Sequence, residues 1–274
     1  MPTKTKNRAL NQIGEVIITG GSSGIGEAFI KAMYNLNSHC VIFNLSRQFP
    51  SIKNELEPDE SPGRLIHIPC DLSDDRSRAS SLSTLREQLS DSGESPLLLI
   101  NNSGFGLYGD FPSPNADMHR KLVRVNIEAP LTLTAELLPE LRKRGGVVLN
   151  VASTAAFQPT PYLATYGASK SFLRNWSMSL NEELRGSGVL VSTLCPGPTA
   201  TQFFSHAGFE SSPLPKQFGM SATDVVKASL EGVEKGKSLI VPGISNKILT
   251  FFAPKLPITW VSRISRTILG RIRK

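Results

Sequence analysis

Short apolar runs that alternate with helix-forming segments restrict the fold of this 274-residue chain more than any other feature. The runs are continuous rather than alternating with polar residues, which is typical of strands covered by helices on both faces. We predict strands at 15–19, 40–44, 65–69, 97–101, 147–151, 189–194 and 239–241, and helices at 24–34, 74–90, 115–138, 163–185 and 221–235. Strands joined through helices form parallel sheets with right-handed crossovers. The sequence therefore predicts an α/β fold with a doubly wound parallel sheet.

The chain is predicted to have three parts. They are an N-terminal arm over 1–13, one α/β domain over 14–242 and a basic C-terminal extension over 243–274. No internal repeat or linker divides the central domain, and 50–63 and 200–220 have the composition of loops. Two local features are also predicted: Ser73 as the N-cap of the helix over 74–90, and a kink at Pro130 in the helix over 115–138.

Cysteine and histidine usage excludes several classes of protein. The three cysteines, at 40, 70 and 195, form no CxxC pair, and the four histidines form no HExxH motif. Neither a disulfide framework nor a metal site is therefore expected. The first fourteen residues lack an apolar signal-peptide core, and no run of about 18 apolar residues occurs. We expect a cytoplasmic protein, at most peripheral on the cytosolic face of a membrane.

Charge is unevenly distributed along the chain. The formal net charge is +7, but residues 235–274 hold nine basic residues and no acidic one. The first 234 residues carry 21 basic and 23 acidic side chains and are nearly neutral. A nucleic-acid-binding domain would have a basic surface on its body, so we expect no nucleic-acid partner.

A glycine-rich segment, TGGSSGIG over 19–26, lies between the first predicted strand and the first helix. Glycines at such a point allow a tight turn and bring backbone N–H groups close to a pyrophosphate. The following helix directs its positive end at the same anion. An ordinary glycine-rich turn is the alternative, but the position between strand and helix favours nucleotide binding.

The spacing TGxxxGxG resembles the short-chain dehydrogenase/reductase family, which has a Rossmann-type fold and uses a nicotinamide cofactor. Four further segments match that family in chain order: NNSG after the fourth strand, Ser153 after the fifth, YGASK over 166–170, and PGPT after the sixth. The resemblance covers about 14–242, with Ser103 standing where the family usually has Ala. It implies a set of cofactor-binding residues, namely Gly20, Ser22, Ser23, Gly24, Ile25, Gly26, Asn102, Ser103, Gly104, Tyr166, Lys170, Pro196, Gly197 and Thr199.

The end of the second strand indicates which cofactor is used. An acidic residue there would favour NAD, whereas a cation would pair with the 2′-phosphate of NADP. The strand ends in Ser46-Arg47 and has no acid, so Arg47 predicts NADP(H), with Ser46 as an additional hydroxyl donor. A solvated surface arginine is the alternative. Asp71 and Leu72 follow the third strand, where the family lines its adenine pocket, although Asp71 could equally cap a helix.

Four residues are candidates for catalysis. Tyr166 and Lys170 are four apart on a predicted helix and therefore share a face. A nearby ammonium stabilises a phenolate, so Lys170 is expected to lower the pKa of Tyr166 and make it a usable acid–base group. Ser153 lies at the carboxyl end of a central strand, where its hydroxyl can hold the substrate oxygen. Asn126 resembles the family's helix asparagine in the proton relay; a buried asparagine bonded to backbone is the alternative.

The resemblance implies an NADP(H)-dependent oxidoreductase that reduces a ketone, an aldehyde or a 3-oxoacyl-type substrate. Aromatic residues in predicted loops suggest an apolar substrate: Phe105, Tyr108, Phe203, Phe204, Phe209 and Phe218, together with Leu107. The family's C-terminal TGxxxxxDGG segment is missing, which speaks against a 3-oxoacyl carrier-protein reductase. The alternatives are a non-catalytic NADP-binding sensor and an extended sugar-nucleotide epimerase or dehydratase. The family also implies a homo-oligomer, a dimer or a tetramer.

The C-terminal extension is predicted to form a basic amphipathic helix over 258–273. At 100° per residue its apolar side holds Ile258, Val261, Ile264, Ile268, Leu269 and Ile272, with Trp260 at the edge. Arg263, Arg266 and Arg273 fall on the other side, and Arg271 at the boundary. The apolar side either packs on this subunit or a partner, or attaches the protein peripherally to an anionic membrane.

Overall fold

A computed structural model of the protein describes residues 9–37, 39–56, 65–89, 95–209 and 219–271. Its strands are β1 (Glu15–Thr19), β2 (Val41–Ser46), β3 (Leu65–Pro69), β4 (Leu97–Asn101), β5 (Gly146–Val151), β6 (Val189–Leu194) and β7 (Leu239–Ile240). They form one parallel sheet in the order β3-β2-β1-β4-β5-β6-β7. The predicted doubly wound sheet of the Rossmann type is therefore confirmed.

Helices cover both faces of this sheet. They are α1 (Gly24–Leu36), α2 (Lys53–Leu56), α3 (Asp75–Gln88), α4 (Ala116–Val123), α5 (Ala129–Arg144), α6 (Ala164–Glu183), α7 (Phe203–His206), α8 (Ala222–Glu234), α9 (Ile244–Phe252) and α10 (Ile258–Gly270). Three short 3-10 turns occur at Leu10–Gln12, Thr154–Phe157 and Ala253–Lys255. Because strand residues alternate between faces, Ile17 packs in one of the two core clusters and Ile18 in the other.

The N-cap predicted for the third helix is wrong by one residue. Asp74 caps α3, and its carboxylate accepts a hydrogen bond of 2.7 Å from the backbone N–H of Ser77. Ser73 instead donates its backbone N–H and its hydroxyl to Asp71 Oδ1, at 2.9 and 2.7 Å. The tight turn after β3 uses the serine, and the aspartate is left to cap the helix.

The helix predicted over 115–138 also differs in its details. It consists of α4, a π-helical turn at Arg124–Glu128 and α5, which continues through Pro139 to Arg144. Pro130 lies in the first turn of α5, so the irregularity precedes the proline. The helix is therefore irregular at a π turn that contains Asn126, and a kink at Pro130 itself stays a prediction.

The two segments predicted as loops each contain a short helix, α2 and α7. Burial explains both differences, because Ile52 enters the core beside α2 and the Phe203 and Phe204 rings of α7 pack in an apolar cluster. The rest of these segments, over 57–64 and 210–218, lies outside the described residues, and so does Phe218.

The C-terminal extension holds α9, a 3-10 turn and α10, while Ile272, Arg273 and Lys274 lie outside the described residues. Val261 and Ser265 of α10 are buried, and Leu269 packs against the body. The rest of the predicted apolar side is not covered. Ten exposed side chains form what we call the C-terminal apolar surface: Ile244, Ile248, Leu249, Phe251, Phe252, Leu256, Ile258, Trp260, Ile264 and Ile268. No helix of the described part of the chain is long and apolar enough to cross a membrane.

Candidate active site

The candidate site lies at the carboxyl ends of the neighbouring strands β1 and β4, where the direction of the strand order reverses. The hydroxyl of Thr19 accepts hydrogen bonds of 3.0 Å from the backbone N–H groups of Asn102 and Ser103. In return, the side-chain amide of Asn102 donates to the carbonyls of Thr19 and Gly20, at 3.0 and 3.2 Å. These bonds hold the loops after β1 and β4 together as one wall of the site.

The glycine loop after β1 leaves no room for side chains at its key positions. Gly20 has a φ of +68°, a conformation that favours glycine. A Cβ on Gly26 would lie 2.2 Å from the carbonyl oxygen of Gly20, so the first turn of α1 presses directly on the loop. Ser23 precedes α1 and makes no capping bond with its side chain. The N-terminus of α1, with Ser22 and Ser23 before it, is therefore the part of the chain that would hold a pyrophosphate.

Asn44 is a residue that the motif comparison misses. It is fully buried in β2, and its Oδ1 accepts a 2.8 Å hydrogen bond from the backbone N–H of Gly21. Its Nδ2 donates to the hydroxyl of Ser46, which itself donates to the carbonyl of Gln48, at 2.9 and 2.7 Å. An amide inside an apolar strand is the sequence signal, because a buried polar group must find partners.

This arrangement alters the expectation for the adenosine end of the site. The proton of the Ser46 hydroxyl is used inside the protein, so Ser46 is not the additional donor predicted for a phosphate. Arg47, the next residue, is exposed. Partial burial raises the pKa of Asp71, but hydrogen bonds from Ser73 and the charges of Lys121 and Arg47 outweigh it and hold that pKa below its ordinary value. A cation therefore faces the edge of the site where an NAD-binding carboxylate would stand.

Tyr166, Lys170 and Ser153 meet at the carboxyl end of β5. Lys170 donates a 2.7 Å hydrogen bond from Nζ to the carbonyl of Val151, and its Nζ lies 5.8 Å from the centre of the Tyr166 ring. Ser153 hydrogen-bonds the Tyr166 side chain, and its hydroxyl also accepts from the backbone N–H of Ala155 at 3.1 Å. The predicted common face of the two α6 residues is present, and both side chains are buried.

Burial governs the protonation of this group. It raises the pKa of Tyr166 to about 12, although the hydrogen bond from Ser153 acts in the opposite direction. It also lowers the pKa of Lys170 to about 8. This direction is opposite to the one expected from Lys170, because the loss of solvation by the buried phenolate is the largest effect on the pKa of Tyr166. Tyr166 is a neutral phenol, a proton donor, at neutral pH.

Asn126 joins the π turn to the loop after β4. Its side chain is fully buried and bonds both backbone groups of Phe105, accepting from N–H at 3.1 Å and donating to the carbonyl at 3.0 Å. It also donates to the hydroxyl of Ser169 at 3.0 Å. A Cβ on Gly104 would lie 3.0 Å from Lys170 Nζ and 3.2 Å from Asn126 Oδ1. Asn126 thus fixes the wall opposite Lys170. It is bonded to backbone, as the alternative interpretation of this residue expected, and this role is compatible with a proton relay.

The remaining motif residues are placed around the same edge of the sheet. Leu72 is buried in one core cluster, and Ile25 of α1 packs against the other. The carbonyl of Pro196 accepts a 2.9 Å hydrogen bond from the N–H of Thr154, and the Thr199 hydroxyl donates to the carbonyl of Gly197 at 3.0 Å. A Cβ on Gly197 would lie 2.4 Å from Asn246 Oδ1, so α9 packs directly on this loop.

An apolar cluster adjoins the Tyr166 ring. The rings of Tyr166 and Phe203 are 5.1 Å apart, and Tyr108 stacks on Phe209 at 4.0 Å. Leu107 and Phe204 belong to the same cluster, and Phe105 packs against it. Cys195 is fully buried, and burial raises its pKa to about 12, so it acts as a small apolar residue of the core. An apolar wall beside a phenol donor suits a carbonyl group on an apolar molecule.

Comparison with known proteins agrees with this geometry. Residues 15–209 match the family described as short chain dehydrogenase. A ketoacyl reductase of Nostoc sp. is 29% identical over 271 residues, covering 94% of this chain and 87% of the relative. A solved short-chain dehydrogenase of Sphingobium yanoikuyae, in complex with NADPH, is 28% identical with a TM-score of 0.75, covering 85% of this chain and 88% of the other.

A second solved structure covers the C-terminal helices as well. It is a bulky-bulky ketone specific alcohol dehydrogenase of Comamonas testosteroni, 25% identical with a TM-score of 0.71, and the match covers 96% of this chain and 95% of that one. The family match extends over more than half of the chain and includes every motif residue of the site. The chain therefore belongs to the short-chain dehydrogenase/reductase family and is an oxidoreductase.

Proposed function

We propose that this oxidoreductase uses NADP(H) and reduces the carbonyl group of an apolar ketone, aldehyde or 3-oxoacyl-type substrate. The observation that carries the proposal is the position of the buried Tyr166 phenol, which lies beside Ser153 and Lys170 and whose ring is 5.1 Å from Phe203 of the apolar cluster. A protonated phenol suits reduction, because that direction requires a proton donor at the substrate oxygen.

Each catalytic residue has one task in this proposal. When bound, a dihydronicotinamide would be the source of the hydride that reduces the carbonyl carbon. Tyr166 gives its phenolic proton to the substrate oxygen, and the Ser153 hydroxyl hydrogen-bonds that same oxygen as charge develops on it. Lys170 stabilises the phenolate left on Tyr166 and would hold the nicotinamide ribose by a hydrogen bond. Asn126 positions the Phe105 backbone and supports the return of a proton to Tyr166.

The choice of NADP(H) over NAD(H) rests on the end of β2. Arg47 is exposed there, and the strand ends without an acidic residue. The guanidinium would form charge-assisted hydrogen bonds with the 2′-phosphate. The similarity to a dehydrogenase solved with NADPH supports this choice.

The substrate class is inferred from the walls of the site. Phe203 lies against the Tyr166 ring, and Phe105 and Leu107 adjoin the same cluster. A related ketoacyl reductase and a structurally similar bulky-ketone dehydrogenase are both carbonyl-converting proteins by name, which supports an apolar carbonyl substrate.

The experiment is NADPH oxidation by the purified protein with a panel of bulky ketones, aldehydes and 3-oxoacyl thioesters, followed by absorbance. We expect turnover with at least one apolar member and little turnover with small polar ketones. Tight NADPH binding without turnover on any member would instead favour the non-catalytic sensor.

Two broader expectations accompany the proposal. The homo-oligomer, a dimer or tetramer, remains a prediction that light scattering of the purified protein tests. The cytoplasmic location likewise remains a prediction. A monomer at micromolar concentration would contradict the first of these without affecting the proposed chemistry.

A further inference from the structure

We propose that the C-terminal apolar surface binds the face of an anionic lipid bilayer, so that the protein is a peripheral membrane protein. Of the fourteen large hydrophobic side chains exposed in the described residues, ten belong to this surface. They lie within 25 residues of one another, between 244 and 268. Apolar exposure this concentrated is typical of an interaction site rather than of a solvated surface.

The apolar positions have helical spacing on both helices. On α9, Ile244, Ile248 and Phe252 are four residues apart and lie on one exposed face. On α10, Trp260, Ile264 and Ile268 repeat the same spacing and are 61%, 54% and 57% exposed. Val261 and Ser265 anchor α10 to the body on a different side of that helix. The exposed stripes are therefore additional to the packing face.

The charges around these stripes indicate the chemistry of the occupant. Five basic residues of the described extension are exposed: Lys247, Lys255, Arg263, Arg266 and Arg271. No acidic residue follows Glu234, so no carboxylate of the extension neutralises them. Lys255 lies 3.4 Å from the centre of the Phe251 ring, which places a cation over an exposed aromatic face. Apolar stripes interspersed with the cations of the extension complement a layer of anionic headgroups above lipid chains.

A second copy of the chain fits this surface less well. A two-fold contact joins the same patch of both subunits, so the five cations of one copy would face the five of the other. No acid of this segment is available to compensate them. A bilayer supplies both negative charge and an apolar interior. A self-complementary dimer supplies apolar contacts but no negative charge.

The test uses the full-length protein in co-sedimentation with vesicles of phosphatidylcholine alone and of phosphatidylcholine with phosphatidylglycerol. We expect binding to the anionic vesicles that weakens as salt shortens the screening length. Lys247→Glu with Arg263→Glu should reduce the partition coefficient by roughly 30-fold or more, because each basic residue near the surface contributes appreciably. Arg142→Glu with Lys143→Glu, on the exposed end of α5, makes the same change in net charge and should leave binding nearly unchanged.

The apolar part is tested by Ile264→Ser with Ile268→Ser, which should weaken binding about tenfold or more. Leu36→Ser, an exposed apolar position at the end of α1, is the matched control. A readout that needs no surface variant is the emission of Trp260 in a Trp176→Phe protein, which should shift to the blue with anionic vesicles only. The proposal is overturned by protein that stays in the supernatant with every vesicle. It is equally overturned if the α10 variant converts an oligomer to a monomer while the wild type ignores lipid.

Discussion

At the scale of single residues, the site combines two side chains whose burial shifts their protonation in opposite directions. Burial raises the pKa of Tyr166 to about 12 and lowers that of Lys170 to about 8. Both shifts favour the neutral form, and both are costs to the folded state at some pH. A catalytic group held in this way should therefore reduce the stability of the fold that carries it.

Replacing Lys170 by Met should consequently stabilise the protein at pH 7. The lysine is protonated in both states there, and the depression of its pKa from 10.5 corresponds to about 3 kcal/mol of unfolding free energy, less about 1 kcal/mol for the lost hydrogen bond to Val151. Between pH 8 and 10.5 the unfolded chain holds the proton and the folded chain does not. The wild type therefore gains stability relative to the variant as pH rises through this range. Urea unfolding at pH 7 and pH 10 measures the difference, with Lys143→Met as the control. If the difference in unfolding free energy between the variant and the wild type grew with pH, the result would refute this explanation.

Arg47 determines the second prediction at this scale. Arg47→Ala should weaken NADPH binding by about 1.5–3 kcal/mol, which is roughly tenfold to a hundredfold, because a charge-assisted hydrogen bond is lost. NADH has no 2′-phosphate, so its affinity should hardly change. Fluorescence titration with both cofactors decides this, and Arg142→Ala, exposed at the end of α5, serves as the control. An equal loss of affinity for NADPH and NADH would show that Arg47 does not bind the 2′-phosphate.

At the scale of elements, the contact between the glycine loop and α1 determines whether a cofactor can bind. A Cβ at Gly26 would meet the backbone of Gly20, which cannot move aside as a flexible side chain would. Gly26→Ala should therefore cost about 1–3 kcal/mol of stability and also weaken NADPH binding, since the loop must shift. Gly186→Ala is the matched control, because its φ of +84° makes alanine strained while nothing lies within 4 Å of the new Cβ. If both variants lose stability but neither loses affinity, the loop does not hold the cofactor.

The π turn at Arg124–Glu128 shows where sequence reasoning about elements stops. Pro130 lies after the π turn, in the first turn of α5, whereas the side chain of Asn126 inside the turn bonds Phe105 and Ser169. Those partners are 21 and 43 residues away in the chain. Ser73 and Asp74 differ for a similar reason, since the turn that takes up Ser73 depends on Asp71. A sequence pattern does not show which of several possible hydrogen-bond partners a polar side chain takes in the folded protein.

At the scale of the whole molecule, the sequence predicts both the parallel sheet and the position of the candidate site. Continuous apolar runs such as Val189–Leu194 leave few other folds, and the motif residues are all placed at one edge of the sheet. The raised pKa of Tyr166 and the lowered pKa of Lys170 could not be predicted, because both shifts depend on how completely the folded chain buries these side chains. The exposure of Ile264 and Ile268 could not be predicted either, since an amphipathic pattern does not tell which apolar residues find a partner.

The central claim is that Tyr166 donates the proton in carbonyl reduction, and Tyr166→Phe tests it most directly. The variant keeps the ring that packs on Phe203 and removes only the hydroxyl, so the fold and the NADPH affinity should be nearly unchanged. Turnover on any substrate that the wild type reduces should fall by about 10²–10⁴-fold, the usual contribution of a positioned acid. Full activity in the variant, with NADPH bound as before, would contradict the account.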